Sequence, residues 1–284
     1  MKIQEQWINV FGVPVALSSR ADIVKWCENR LKNDEKTRIV TANPEILLRA
    51  RRDIWFKRVI EMADLVTPDG AGVCWAAAFF GMTENSTNLF EIIRIFLRTL
   101  WVAVFGRNAR KIFPERVSGS DLLWDIAKIA CERNLKVYLI GGKRATAHRA
   151  ARRISAYYPG LDIKGFVPDH VATPYSSYVL HDEISNFKPA IVFVAYGSPK
   201  QEEWINQNMH RYPSIQLAMG VGGALDFIAG NASRAPLRLQ NHALEWFWRL
   251  YQRPSRLIRV LRAVILFPII ILLSRIKKHY AKKF

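Results

Sequence analysis

Asp69 ends the apolar run Leu65-Val66-Thr67-Pro68 and is followed at once by Gly70-Ala71-Gly72 and an alanine-rich helical pattern. A carboxylate at that position can take a proton from an attacking hydroxyl. It can equally cap the helix that follows, which is the commoner use of such an aspartate on this tetrapeptide alone. Two glycines permit close backbone approach, and the first helical turn presents unpaired N–H groups that favour anions. Other polar residues fall at comparable places. Thr41 and Asn43 follow a short apolar run, and Arg116 lies in the polar loop Glu115-Arg116-Val117-Ser118. Ser198, Lys200 and Gln201 follow another run, and Asp226 comes after Gly220-Val221-Gly222-Gly223. Taken singly, Gln201 reads as a helix-surface residue and Asp226 as a cap.

The elements that must position these residues alternate. Residues 7–16 read as one or two strands with a turn at Gly12-Val13-Pro14, and 21–32 as a helix. Residues 38–41 form a strand, and Asn43-Pro44 starts a helix to Arg52, proline being suited to the first helical position. From 122 onward, helix and strand signals succeed one another: strands at 136–140, 161–167, 190–195 and 215–219, with helices between. That order predicts an α/β fold: a Rossmann-like, mostly parallel sheet with helices on both faces. In such a sheet the polar strand ends converge on one crevice, where ligands bind. A carboxylate, an arginine and several hydrogen-bonding side chains there suit a phosphorylated sugar.

The formal charge of +18 calls for an acidic partner: nucleic acid, an anionic membrane or a phosphorylated substrate. Much of that charge lies late in the chain. From Arg234 onward there are twelve Arg and Lys residues against one acidic residue, Glu245. Arg256, Arg259 and Arg262 share a helical face, and cations flank the apolar run 263–273. This fits a peripheral anchor on anionic lipid, since eleven charge-free residues fall short of the roughly 20 that an ordinary spanning helix needs. A second apolar stretch, 88–106, carries Glu91, Arg94 and Arg98 on one side and reads equally as a core helix or an interfacial one. The opening residues are too polar for a secretory leader. Cys27, Cys74 and Cys131 are widely spaced and odd in number, which favours a reducing compartment over a disulfide framework.

Motifs for other chemistries are missing. No Asp-x-Asp pair, Walker loop or Gly-x-Ser-x-Gly elbow occurs, and the histidines show no metal-ligand spacing. No metal and no cofactor is expected. A nucleic-acid-binding module accounts for the charge, but the charge sits beside an apolar segment and no nucleic-acid motif accompanies it. A membrane scaffold without activity is a further alternative, which the full set of polar strand ends disfavours.

Several motifs occur in a fixed order: Asp64-Leu-Val-Thr-Pro-Asp-Gly, Glu115-Arg-Val-Ser-Gly-Ser-Asp-Leu, Val137-Tyr-Leu-Ile-Gly-Gly, Gly197-Ser-Pro-Lys-Gln-Glu and Gly220-Val-Gly-Gly-Ala-Leu-Asp-Phe, then Arg234-Ala-Pro, Leu244-Glu-Trp and Arg249-Leu. Over roughly residues 8–260 the chain resembles the WecG/TagA/CpsF family of bacterial glycosyltransferases (glycosyltransferase family 26). The resemblance implies an inverting, metal-independent transfer of an N-acetylmannosamine-type sugar, hexose or uronic acid. The donor would be a UDP-sugar and the acceptor a polyprenyl-diphosphate-linked sugar, at the cytoplasmic face of the bacterial inner membrane. The product would serve teichoic acid, capsule, exopolysaccharide or another envelope polymer. It implies Asp69 as the base, a pocket formed by Thr41, Asn43, Arg116, Gln201 and Asp226, and appendage arginines at Arg249, Arg256 and Arg259. The expected domains are a catalytic core over 1–233, with an apolar insertion near 84–112, and a basic and apolar membrane appendage over 234–284. The insertion and the lengthened C-terminus depart from the family pattern, and both point to firmer membrane attachment.

Overall fold

The computed structural model describes residues 7–281 except Thr87, 106–111, Arg144, 168–177, Arg234, 237–238, 240–244 and Arg253. Its centre is a six-stranded sheet in the order β4-β3-β8-β7-β5-β6, every neighbouring pair parallel. The strands are β3 (Thr37–Ala42), β4 (Leu65–Pro68), β5 (Val137–Gly141), β6 (Ile163–Phe166), β7 (Ile191–Ala195) and β8 (Leu217–Gly220). β5 and β7 are buried at every position, as their unbroken apolar runs require in a sheet covered on both faces.

Helices connect the strands: α1 (Arg20–Lys32), α2 (Pro44–Arg52), α3 (Ile54–Glu61), α4 (Ala71–Thr83), α5 (Leu89–Phe105), α6 (Gly119–Glu132), α7 (Thr146–Tyr157), α8 (Tyr178–Phe187), α9 (Lys200–Asn208) and α10 (Ala224–Ile228). The expected α/β class is therefore observed. A separate antiparallel hairpin, β1 (Trp7–Val10) and β2 (Val13–Ala16), packs against β4, which is an edge strand of the main sheet. Its turn is Phe11-Gly12, both with positive φ, the conformation that matches the twist of a two-residue hairpin. Pro14 lies one step inside β2, opposite Asn9, rather than in the turn. An edge strand tolerates its missing N–H.

The C-terminal part is helical. α11 (Glu245–Gln252) folds back onto Ser233, whose carbonyl accepts from Trp248 Nε1 at 3.2 Å and Gln252 Nε2 at 2.8 Å. After a 3-10 turn at Pro254–Arg256, α12 (Leu257–Leu261) runs through a π-helical segment, Arg262–Leu266, into α13 (Phe267–Ala281). The sequence reading places a short apolar run here. The structure instead has a continuous helix from Leu257 to His279, 23 residues long and apolar enough to cross a membrane by length and composition. Pro268 does not end it, because the π-helical widening lies at the turn where the proline removes a hydrogen bond.

α13 is also part of the globular body. Phe267, Ile270 and Ile271 enter one core cluster with Val73, Phe79 and Ile92. α5 contributes to the same core from one face, and Trp75 Nε1 ties it to α4 by donating to Thr99 Oγ1 at 3.0 Å. The opposite face of α5 is exposed, so the core reading describes one side of this helix.

Candidate active site

The parallel pairing of β3 with β4 aligns Thr41 with Thr67 and Ala42 with Pro68. The ladder continues one residue further, since the Asp69 N–H donates to the Ala42 carbonyl at 2.8 Å. Asp69 is thereby fixed beside Asn43 at two adjacent strand ends. Asn43 caps α2, its Oδ1 accepting from the Ile46 N–H at 3.0 Å, with Pro44 in the first turn. At α4 the capping position belongs to Gly70, not Asp69. Gly70 has φ 103° and ψ 145°, a region essentially restricted to glycine, and the helix opens without a side-chain cap. Half-buried Asp69 therefore stands one residue ahead of a helix mouth whose first-turn N–H groups face outward.

Arg116 is brought to the same place by three anchors on its loop. Glu115 Oε2 accepts from the Arg20 N–H at 3.1 Å, and the Val117 N–H donates to the Pro68 carbonyl at 3.1 Å. Ser118 then caps α6, accepting from the Asp121 N–H at 3.2 Å. The buried thiol of Cys74, early in α4, senses both charged groups. Burial pushes it up to about 12, Arg116 acts to lower it and Asp69 to raise it. Asp69 and Arg116 thus share the neighbourhood of the α4 opening, and Cys74 stays a protonated thiol at neutral pH.

Thr41 and Gln201 are more enclosed than their sequence positions suggest. Thr41 donates from Oγ1 to the Gly220 carbonyl at 3.2 Å, and a Cβ on Gly119 would lie 3.1 Å from Thr41 Oγ1. Gln201 is buried, not a helix-surface residue. Its Oε1 accepts from the Gly222 N–H at 3.0 Å, and its Nε2 donates to Glu202 Oε1 at 2.7 Å. A Cβ at Gly220 would lie 2.6 Å from Gln201 Nε2, so glycine is needed for this approach. The two side chains hold the glycine turn after β8 against β3 and α9.

Asp226 lies on the other side of β8. Its carbonyl accepts from the Asn231 N–H at 2.8 Å, and Asn231 bridges to Thr146 Oγ1 at 2.9 Å and Arg149 Nη2 at 2.6 Å. It therefore faces the start of α7, while Asn43, Asp69 and Arg116 group at β3, β4 and α4. Arg259 is exposed on α12, and no described contact brings it to Asp69. The backbones of Arg249 and Arg256 are placed in α11 and the 3-10 turn, but their side chains lie outside the described residues.

Two residues absent from the sequence reading matter here. Glu202 is buried, and burial raises its carboxyl above the ordinary range while the Gln201 hydrogen bond opposes that rise. By accepting from Nε2 it decides which end of the Gln201 amide meets Gly222. Phe267 of α13 packs beside the α4 opening. A Cβ at Gly72 would meet its ring at 3.8 Å and Pro44 Cγ at 3.0 Å. Glu202 ends the Gly197-Ser-Pro-Lys-Gln-Glu motif, but nothing local signals its burial, and Phe267 reads only as part of an apolar run.

Among the described residues, no three His, Cys, Asp or Glu side chains group in a way that could hold a metal ion. A depression lined by Lys136, Asp162, Lys164 and Glu183 lies at the other end of the sheet, beside the starts of β5 and β6. It carries both charge signs and none of the strand-end residues.

A model of the WecG/TagA/CpsF glycosyl transferase family matches residues 8–100 and 95–281. The chain belongs to this family. It is thus a glycosyltransferase, and the strand-end cluster at β3, β4 and α4 is the candidate active site of a family member. The chain is similar to the N-acetylglucosaminyldiphosphoundecaprenol N-acetyl-beta-D-mannosaminyltransferase of Bacillus spizizenii, at 29% identity over 223 residues covering 78% of this chain and 74% of that one. The protein of the same name from Bacillus subtilis is 25% identical over 253 residues, 89% and 86% of the two chains. One from Staphylococcus aureus is 28% identical over 211 residues, 74% and 70% of the two chains.

Proposed function

We propose that this family member transfers a sugar, with inversion and without a metal, from a UDP-sugar to a polyprenyl-diphosphate-linked sugar. The similar Bacillus and Staphylococcus proteins make an N-acetylmannosaminyl group on N-acetylglucosaminyl-diphosphoundecaprenol the first choice. The observation that carries the reading is the placement of Asp69 and Arg116 together at the uncapped mouth of α4.

In the step, the Asp69 carboxylate takes the proton of the acceptor hydroxyl as that oxygen bonds to the anomeric carbon. The carbon–oxygen bond to the diphosphate breaks, and UDP leaves with its electron pair. Charge grows on the departing diphosphate, and Arg116 with the first N–H groups of α4 stabilises it. Thr41, Asn43 and Gln201 shape the donor pocket, two of them through the glycine turn after β8, and Asp226 borders it from the α7 side. Arg249, Arg256 and Arg259, in an appendage spanning 234–284, approach the lipid diphosphate when the enzyme meets an anionic membrane at its cytoplasmic face.

The test is a panel of UDP-sugars assayed for transfer to a short-chain lipid-diphosphate-N-acetylglucosamine acceptor, with and without chelator. Transfer from UDP-N-acetylmannosamine, unaffected by chelator, is expected. A chain that releases UDP from no member of the panel would refute the reading.

A further inference from the structure

Helices α5 and α13 are neighbours that pack on one core and leave apolar side chains on their outward faces. On α5 the exposed residues Phe90, Ile93, Leu97 and Trp101 recur at three- and four-residue steps, with Phe90 75% and Trp101 66% accessible. On the C-terminal helix Leu257, Leu261, Ile265, Ile269 and Leu273 recur at every fourth residue and are likewise exposed. Such steps put each set on one helical stripe. Two exposed apolar stripes on neighbouring helices are the kind of surface that marks an interaction site. The charges around it are mostly basic: beside the half-buried Glu91, Arg94 and Arg98 flank the α5 stripe, Arg259 and Arg262 lie at the start of the C-terminal helix, and Lys277 and Lys278 at its end, these six exposed.

We infer that α5 and the C-terminal helix together form one in-plane surface that sinks into a single leaflet of an anionic bilayer, and that the long C-terminal helix does not span it. Length alone would allow crossing. Docking forbids it. Phe267, Ile270 and Ile271 are buried in the core, and Arg275, 5% accessible, donates from Nε to Thr83 Oγ1 at 3.1 Å and from Nη2 to the Thr83 carbonyl at the end of α4. A spanning helix would have to withdraw this face from the protein. It would also carry one of the two cationic ends to the far side of the bilayer, whereas an in-plane helix keeps both on one side, as the bias of Lys and Arg towards one membrane face favours. Phe267 touches the neighbourhood of Gly72, so the embedded helix runs past the mouth of α4 and holds the candidate active site at the lipid surface.

The inference deepens the proposed function, resting on that reading only for its use of a lipid-linked acceptor. Its test needs no sugar nucleotide, so either can fail alone. Full-length protein is partitioned onto phosphatidylglycerol-containing and phosphatidylcholine vesicles, alongside Leu97→Asp/Trp101→Asp and Ile265→Asp/Ile269→Asp variants whose unfolding is checked in parallel. Each pair is expected to lower binding to anionic vesicles by about tenfold or more. In membranes made from cells, cysteines introduced at Ser255→Cys and Lys278→Cys on a Cys131→Ser background are expected to react with an impermeant thiol reagent from the same side. Labelling from opposite sides would overturn the inference. So would a dimer that the α5 pair dissociates while vesicle binding is unchanged, since the face would then belong to a second copy of the chain.

Discussion

Helix α4 is treated differently at its two ends. Its amino end is opened by Gly70 with no side-chain cap, and Asp69 and Arg116 gather there. Its carboxyl end has no basic residue of its own, yet it is closed by Arg275 from α13, whose guanidinium reaches Thr83, Glu84 and Ser86. A cation at a helix carboxyl end satisfies orphan carbonyls and the helix dipole together. The open end leaves its first N–H groups without a side-chain cap, and the closed end spends its carbonyls on the fold. One helix thus joins the proposed active site to the segment inferred to face the membrane, with α13 touching it near both ends.

The sharpest way to break this contrast is at Asp69. Asp69→Asn is expected to lower transfer by about 10²–10⁴-fold, the range for a general base, while UDP binding measured by calorimetry stays close to the parent. Next comes Arg275→Ala, which leaves buried carbonyls without their donor. Urea unfolding should show a loss of about 2–4 kcal/mol, since hydrogen bonds to charged groups are involved. Gly70→Ala should cost about 1–3 kcal/mol, because a side chain is forced into a glycine-only conformation. It should also reduce transfer by altering the mouth of α4.

The smallest expected effect is a pH slope. The folded state raises the Glu202 carboxyl above its ordinary 4.5. Native protein therefore holds a proton that the unfolded chain releases, and stability falls as pH rises from about 4.5 towards the folded value. Glu202→Gln should remove that fall, measured as midpoint denaturant against pH. If the slope persists in the variant, another group causes it.

The sheet was legible because its strands are short, apolar and separated by helical periods. The runs at 190–195 and 136–140 have few other readings. The Asn43-Pro44 start held for a local reason, cap followed by proline, and the structure repeats it. Asp69 was legible only as one of several strand-end residues, since a cap and a base look alike in four residues. What escaped was contact between distant parts. Arg275 reads as one more cation in a basic tail, and its partner Thr83 is 192 positions away. Gln201 reads as a surface residue until Gly220 and Gly222 close over it. The C-terminal helix reads as a short apolar run because charges bound it, and the π-helical segment that carries it past Pro268 leaves no signature in composition. Cutting the chain after 234 would therefore strip Phe267 and Ile271 from the core as well as remove any lipid contact.

The central claim, chemistry at one end of α4 and anchorage at the other, is tested most directly by measuring transfer rate and unfolding free energy on the same preparations of Asp69→Asn and Arg275→Lys. The account predicts a crossed pattern. Asp69→Asn should lose transfer by at least about a hundredfold with unfolding near that of the parent, and Arg275→Lys should lose stability while retaining most of its turnover. Turnover of Asp69→Asn within a few-fold of the parent would contradict it.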